Sequence, residues 1–214
     1  MRKIRSILVA FVASVCFSAN ANLIKNCDFD GKLFPEYRRA GHLKNNSFTV
    51  FTEDLTWNKC GRIEIIRYNE NEKGLKSYGS GVIIGGDKKL AGFPVKPGET
   101  YKFSLELKGT VKKASVSGMY WTGECRYYDD RHRMKASVGG VKVQKEWTRY
   151  KGTFKVPEGA KRAALYVSIW GSEKHKHMPE KPGEYLLLDK IEIEKATTNL
   201  NVLNQESKPD AMVI

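Results

Sequence analysis

The chain of 214 residues carries 37 Lys and Arg against 24 Asp and Glu, a formal charge of +13, and 41% of it is hydrophobic. That apolar share excludes a disordered chain, and no run reaches the ~20 apolar residues that a membrane-spanning helix needs. A basic charge can serve contact with acidic glycans, anionic surfaces or nucleic acid, but the plainer reading, Lys-rich outer faces that are merely solvated, is preferred, and nucleic acid is not the expected partner.

Residues 1–21 begin with Arg2, Lys3 and Arg5, continue through an apolar run from Ile7 to Phe17, and end in "SANAN", where Ala19 and Ala21 fit a small-residue cleavage pattern. This is the form of a secretory signal peptide. The residues before Cys16 lack the Leu and the small residue of a lipoprotein signal. Cleavage after residue 21 would lower the formal charge from +13 to +10. Export permits disulfides, and Cys27, Cys60 and Cys125 are an odd set that allows one bridge without choosing the pair. No C-x-x-C occurs, so a zinc ribbon or thioredoxin-type site has no support.

Strand signals then follow one another. They are "RIEIIRY" from Arg62, "GSGVIIGG" from Gly79, "TYKFSLELK" from Thr100, "ASVSGMYW" from Ala114, "TRYKGTFKV" from Thr148, "RAALYVSIW" from Arg162 and "YLLLDKIEIEK" from Tyr185. In the third, Tyr101, Phe103, Leu105 and Leu107 share one face while Lys102, Ser104, Glu106 and Lys108 share the other. The turn segments "KPGE" at 96–99, "PEGA" at 157–160 and "KPGE" at 181–184 separate the runs. No run of helical period is long enough for a typical helix, so the prediction is an all-β chain, a sandwich of two antiparallel sheets formed by one domain over 22–195. Residues 196–214 show neither period and are expected to be a disordered tail.

The segment "GMYWTGECRYYDDRHRM", 118–134, starts as a strand and runs out into rings and charges. Trp121, Arg126, Tyr127 and Tyr128 form the densest aromatic and basic cluster in the chain. Flat rings flanked by Glu124, Arg126 and Asp129 suit a pyranose, whose C–H face covers a ring while its hydroxyls reach polar groups. Packing of Trp121 into the core is the competing account, although its parity matches Ser115 and Ser117 rather than Val116. In "RAALYVSIW", Leu165, Val167 and Ile169 fill one face, while Ala164, Tyr166, Ser168 and Trp170 make an amphipathic second face. By parity Asp189 falls with Leu187, Ile191 and Ile193 on an apolar face, where a buried carboxylate requires a partner.

"NLIKNCDFDG" (22–31), "GFPVKPGETYKFSLELKG" (92–109), "EWTRYKGTFKVPEGAKRAALYVSIWG" (146–171) and "YLLLDKIEIEK" together resemble secreted carbohydrate-binding modules of the family 4, 9 and 22 type. The resemblance spans most of 22–195, with 32–78 matching poorly. It implies a jelly-roll sandwich with a galactose-binding-like fold, and ligands on a sheet face or at loop tips, which makes Tyr166 and Trp170 partners for Trp121. It also implies a structural calcium held by backbone carbonyls and by Asp30 and Asp189, with a Lys or Arg partner for Asp189 as the alternative.

Catalytic motifs are sparse. No G-x-S-x-G elbow occurs, and "GSGVIIGG" fits neither the dinucleotide nor the phosphate-loop pattern. Glu124 with Asp129 or Asp130 is the one candidate carboxylate pair for glycoside hydrolysis. His175 and His177 lack an evident third metal ligand. The expectation is therefore a secreted, periplasmic or envelope-located non-catalytic module that stacks a polysaccharide or oligosaccharide on aromatic side chains. A glycan-active hydrolase or lyase on the same scaffold is the first alternative, and a polyanion-binding or structural envelope protein the second.

Overall fold

Alternating residues pair into two sheets. The computed structural model describes residues 23, 29, 37–41, 46–86, 90–123, 133–173 and 182–196, with backbone alone at 37–41, 46 and 133–139. The expected signal segment, the tail beyond residue 196, Cys27, Cys125 and Asp30 lie outside the described residues. The strands are β1 (Tyr37–Gly41), β2 (Asn46–Thr52), β3 (Lys59–Ile65), β4 (Asn69–Glu70), β5 (Lys76–Ile84) and β6 (Phe93–Pro94). They continue with β7 (Thr100–Gly109), β8 (Lys113–Trp121), β9 (Arg133–Lys142), β10 (Thr148–Lys155), β11 (Arg162–Ser172) and β12 (Tyr185–Lys195). The larger sheet runs β1-β5-β11-β8-β9, with the short β4 on β5 and β6 on β11. The smaller sheet runs β10-β7-β12-β3-β2. Every pairing is antiparallel.

The core lies between the two inner faces. Val82, Ile84, Val116, Leu165, Val167 and Ile169 of the larger sheet meet Ile63, Phe103, Leu105, Leu107, Leu186, Ile191 and Ile193 of the smaller one. Each such side chain taken out of water contributes about 1.5–3 kcal/mol before entropy is set against it. At one end the rings of Phe93, Tyr101 and Phe154 form a ladder with centroids 5.4 and 5.5 Å apart, and Tyr120 meets Phe154 edge-on at 6.1 Å. The buried Tyr120 hydroxyl donates to the Lys155 carbonyl at 3.1 Å, so its polar tip is satisfied inside the core.

The first "KPGE" turn is tied at both ends. The Glu99 carboxylate accepts the Lys96 backbone N–H at 2.8 Å and the Tyr101 hydroxyl at 2.8 Å, and pairs with Lys195 Nζ at 2.6 Å. Burial alone would raise the pKa of Glu99, but these three donors outweigh it and hold the carboxyl at about 2. Gly98 takes φ +81° at the tip, where a side chain would be strained.

Two expectations change. Residues 37–52 supply two strands that the sequence pattern does not announce. Asp189 does not share a face with Ile191 and Ile193: β12 pairs with β7 through a bulge between Asp189 and Glu192, with Lys190 at φ +45°, and the extra residue reverses the parity. Asp189 therefore sits with Leu187 on the outer face of the smaller sheet, while Ile191 and Ile193 enter the core.

Candidate functional site

The outer face of the larger sheet is built from the alternate residues of its central strands. In register, Ile83, Tyr166 and Ser117 form one row, Gly81, Ser168 and Ser115 the next, and Gly79 with Trp170 the row beyond. Small side chains make the floor and rings stand beside it. A Cβ on Gly81 would lie 2.8 Å from Tyr166 Cε2 and 2.7 Å from the Val167 carbonyl, so only glycine lets the Tyr166 ring lie down across β5. Trp170 flanks Gly79, where an added Cβ would meet its Cδ1 at 3.6 Å, and the indole is 54% exposed. Tyr166 is half-buried. Four residues apart on one strand, the two rings are separated by ~13 Å, the reach of a short oligosaccharide.

The opposite end of the same face is closed. Trp121 is 3% exposed and packs with Ile83, Ala91, Met119 and Ala164, with Tyr166 at the margin of the cluster. The segment at Ala91 and Gly92 roofs it. Arg162, 8% exposed and paired in register with Trp121, donates from Nε to the Ala91 carbonyl at 2.7 Å and from Nη2 to the Gly92 carbonyl. Gly92 has φ +69°, and a Cβ there would meet the Ala163 carbonyl at 2.4 Å and Trp121 Cζ3 at 3.0 Å. The parity expected for Trp121 holds, since it faces away from Val116, but its ring is covered by a segment about thirty residues earlier in the chain. Arg126, Tyr127 and Tyr128, and the acids Glu124, Asp129 and Asp130, lie outside the described residues, as do His175 and His177. Of the expected ligand residues the structure thus brings Tyr166 and Trp170 onto one open surface and puts Trp121 at its packed end.

The outer face of the smaller sheet is organised by charge. The hairpin loop 53–58 curls over it, and Glu53 accepts from Lys108 Nζ at 2.9 Å, Trp147 Nε1 at 3.1 Å and Thr56 Oγ1 at 3.3 Å. Burial would raise the Glu53 carboxyl, yet these donors hold it below the usual range. Arg62 lies over the rings of Tyr185 and Phe51, 4.3 and 5.0 Å from their centroids, and pairs with Glu64 at 3.0 Å. Trp57, at the loop tip, is 79% exposed with φ +57°. The sequence gives no periodic signal for it, and "WNKC" following a turn is the only hint.

Beneath that loop Asp189 is 2% exposed. Its Oδ2 accepts from Asn58 Nδ2 at 3.0 Å and its Oδ1 from the Lys190 backbone N–H at 2.7 Å. Burial raises its carboxyl above the usual range, and the two N–H donors offset part of that. Each carboxylate oxygen thus accepts one N–H donor, and Asp30, the other side chain expected to hold calcium, lies outside the described residues. Among the described residues no three His, Cys, Asp or Glu side chains gather where a metal would bind. Cys60, buried nearby, forms no disulfide. Its own burial, and then the charges of Glu53 and Asp189, push the thiol up to about 12, so it stays protonated and inert.

The sandwich is shared with solved structures. A module pair of a Clostridium thermocellum endo-1,4-beta-D-xylanase 10B, a family 22 carbohydrate-binding module with its GH10 module in complex with xylohexaose, aligns with a TM-score of 0.52 at 16% identity. That alignment covers 83% of this chain and 29% of the other, so the chain spans under a third of that protein. The C-terminal family 22 carbohydrate binding module of the same xylanase aligns with a TM-score of 0.51 at 11% identity, covering 83% of this chain and 96% of the module. A second family 22 xylan-binding domain, from a Paenibacillus barcinonensis xylanase, gives 0.50 at 14% identity, covering 79% and 98%. At these identities the likeness establishes the fold. No curated protein matches the sequence. The family model for a carbohydrate binding domain of the 4/9 type matches residues 21–176, most of the sandwich together with β11 and its exposed ring, and the chain belongs to that carbohydrate-binding family.

Proposed function

We propose that the protein is an exported, non-catalytic module that holds a polysaccharide along the open end of the larger sheet's outer face, stacking sugar rings on Trp170 and Tyr166. The observation that carries this reading is Trp170. A tryptophan more than half exposed towards the end of a regular strand, beside a floor of Gly79, Gly81, Ser115 and Ser168, offers a flat apolar surface. Sheet residues hold it rigidly, so little ordering is required on binding. Arg126, Tyr127 and Tyr128 follow Trp121 in sequence and are, in this reading, further polar and aromatic contacts for the glycan. The basic, apolar and small-residue order of residues 1–21 supports export. The family and the absence of a catalytic motif in the sequence support binding without turnover.

Xylohexaose is the first ligand to test, because a structure of similar fold holds it. Titration should show saturable binding with a change in tryptophan fluorescence that survives added salt, and no shortening of the oligosaccharide. Chain cleavage would replace this reading with the enzymatic one, and no binding to xylohexaose or to a panel of neutral glycans would remove it.

A further inference from the structure

The outer face of the smaller sheet carries an open groove, of about 700 Å³, between β10, β7 and β12. That size is within the range that small ligands occupy. Its floor consists of two cross-strand rows, Lys151, Ser104 and Glu192 in one and Thr153, Lys102 and Glu194 in the other. Arg149 closes the side of the first row. It donates from Nη2 to Ser104 Oγ at 2.7 Å and to Glu192, and Ser104 in turn donates to Glu192 at 2.7 Å, so these three groups satisfy one another. Lys102 and Lys151 take part in no ion pair among the described residues.

We propose that this groove is a second saccharide site, distinct from the Trp170 face, and that it takes an oligosaccharide bearing carboxylates, such as a uronic acid oligomer. The free cations, Lys102 and Lys151, stand on neighbouring rows and suit a carboxylate as point charges. Glu194, Glu192 and Thr153 accept or donate hydrogen bonds to hydroxyls. A groove that mixes cations with carboxylates favours a ligand of sparse negative charge and many hydroxyls. A polyphosphate chain, dense in charge, would meet Glu192 and Glu194 at every register. Among the described residues no ring is exposed in the groove, so recognition there is by charge and hydrogen bonds and must weaken with salt, unlike stacking on Trp170.

The test is calorimetric titration of tri-galacturonate into the whole protein, its K102Q/K151Q double variant and its Trp170→Ala variant, with galactotriose and polyphosphate as comparison ligands. Both lysines point to solvent, so the double variant should melt as the parent does. The expected result is one saturable tri-galacturonate site, weakened at least tenfold in K102Q/K151Q and by a rise in salt, with galactotriose and polyphosphate each bound more weakly at the groove. Loss of tri-galacturonate binding in Trp170→Ala, with K102Q/K151Q unchanged, would overturn the groove while supporting the larger-sheet site. Absence of saturable binding, or tighter binding of polyphosphate, would also overturn it. Failure of xylohexaose to bind bears only on the larger-sheet site.

Discussion

The two outer faces of the sandwich arise from the same alternation and end up with opposite chemistry. Towards the open end of the larger sheet the outer face of the central strands is mostly glycine, serine or an aromatic, so the surface is low, with rings at its edge. On the smaller sheet many of the corresponding positions are Lys, Arg, Glu or Asp, and several join into pairs such as Lys108 with Glu53 and Lys190 with Glu106 at 2.9 and 3.0 Å. A face suited to stacking and a face suited to charge can therefore coexist on one core, because the core is indifferent to what the outward residues are.

The comparison is broken most severely at the packed end of the larger face. Trp121→Ala removes a buried indole from the cluster under Ala91 and Gly92, and should cost about 3–5 kcal/mol of folding stability, measured as a lowered urea midpoint. A change under 1 kcal/mol would mean that Trp121 belongs to the open surface after all.

A smaller effect is expected at the edge of the charged face. Glu99 has its carboxyl lowered from 4.5 to about 2 in the folded protein by Lys195, Lys96 and Tyr101. The folded value lies below the unfolded one, so the stabilisation is complete above pH 4.5 and is lost as pH falls from 4.5 towards 2. Melting temperature should decline through that window, and Glu99→Gln should flatten the decline without altering the midpoint at low pH. An identical slope in the variant would assign the acid sensitivity elsewhere.

The smallest effect sharpens the account of Asp189. With each oxygen accepting an N–H donor, it has partners without a cation, so melting curves in EDTA and in excess calcium should coincide. A calcium-dependent rise that Asp189→Asn abolishes would place the metal at this position.

Much of this was legible in the chain. Tyr101, Phe103, Leu105 and Leu107 alternate without interruption, and "RAALYVSIW" announces two usable faces, so β7 and β11 and the placement of Tyr166 and Trp170 follow from period two alone. What escapes has identifiable causes. In β2, Phe48 turns to the core against Phe29 while Phe51 lies outside beside Arg62, so apolar residues of opposite parity blur the alternation. The bulge after Asp189 moves a carboxylate to the other face with no local signal in "LLLDKIEIE". Trp121 is hidden by Gly92 and Arg162, and contacts that distant in sequence leave no trace in strand periodicity.

The claim that matters most is that the open end of the larger face is the glycan surface. Trp170→Ala, a half-exposed position, should leave the folding free energy from urea unfolding within about 0.5 kcal/mol of the parent and weaken xylohexaose binding by about 2 kcal/mol or more, as loss of an aromatic anchor does. Unchanged affinity in a stably folded Trp170→Ala protein that still binds the oligosaccharide would contradict the account.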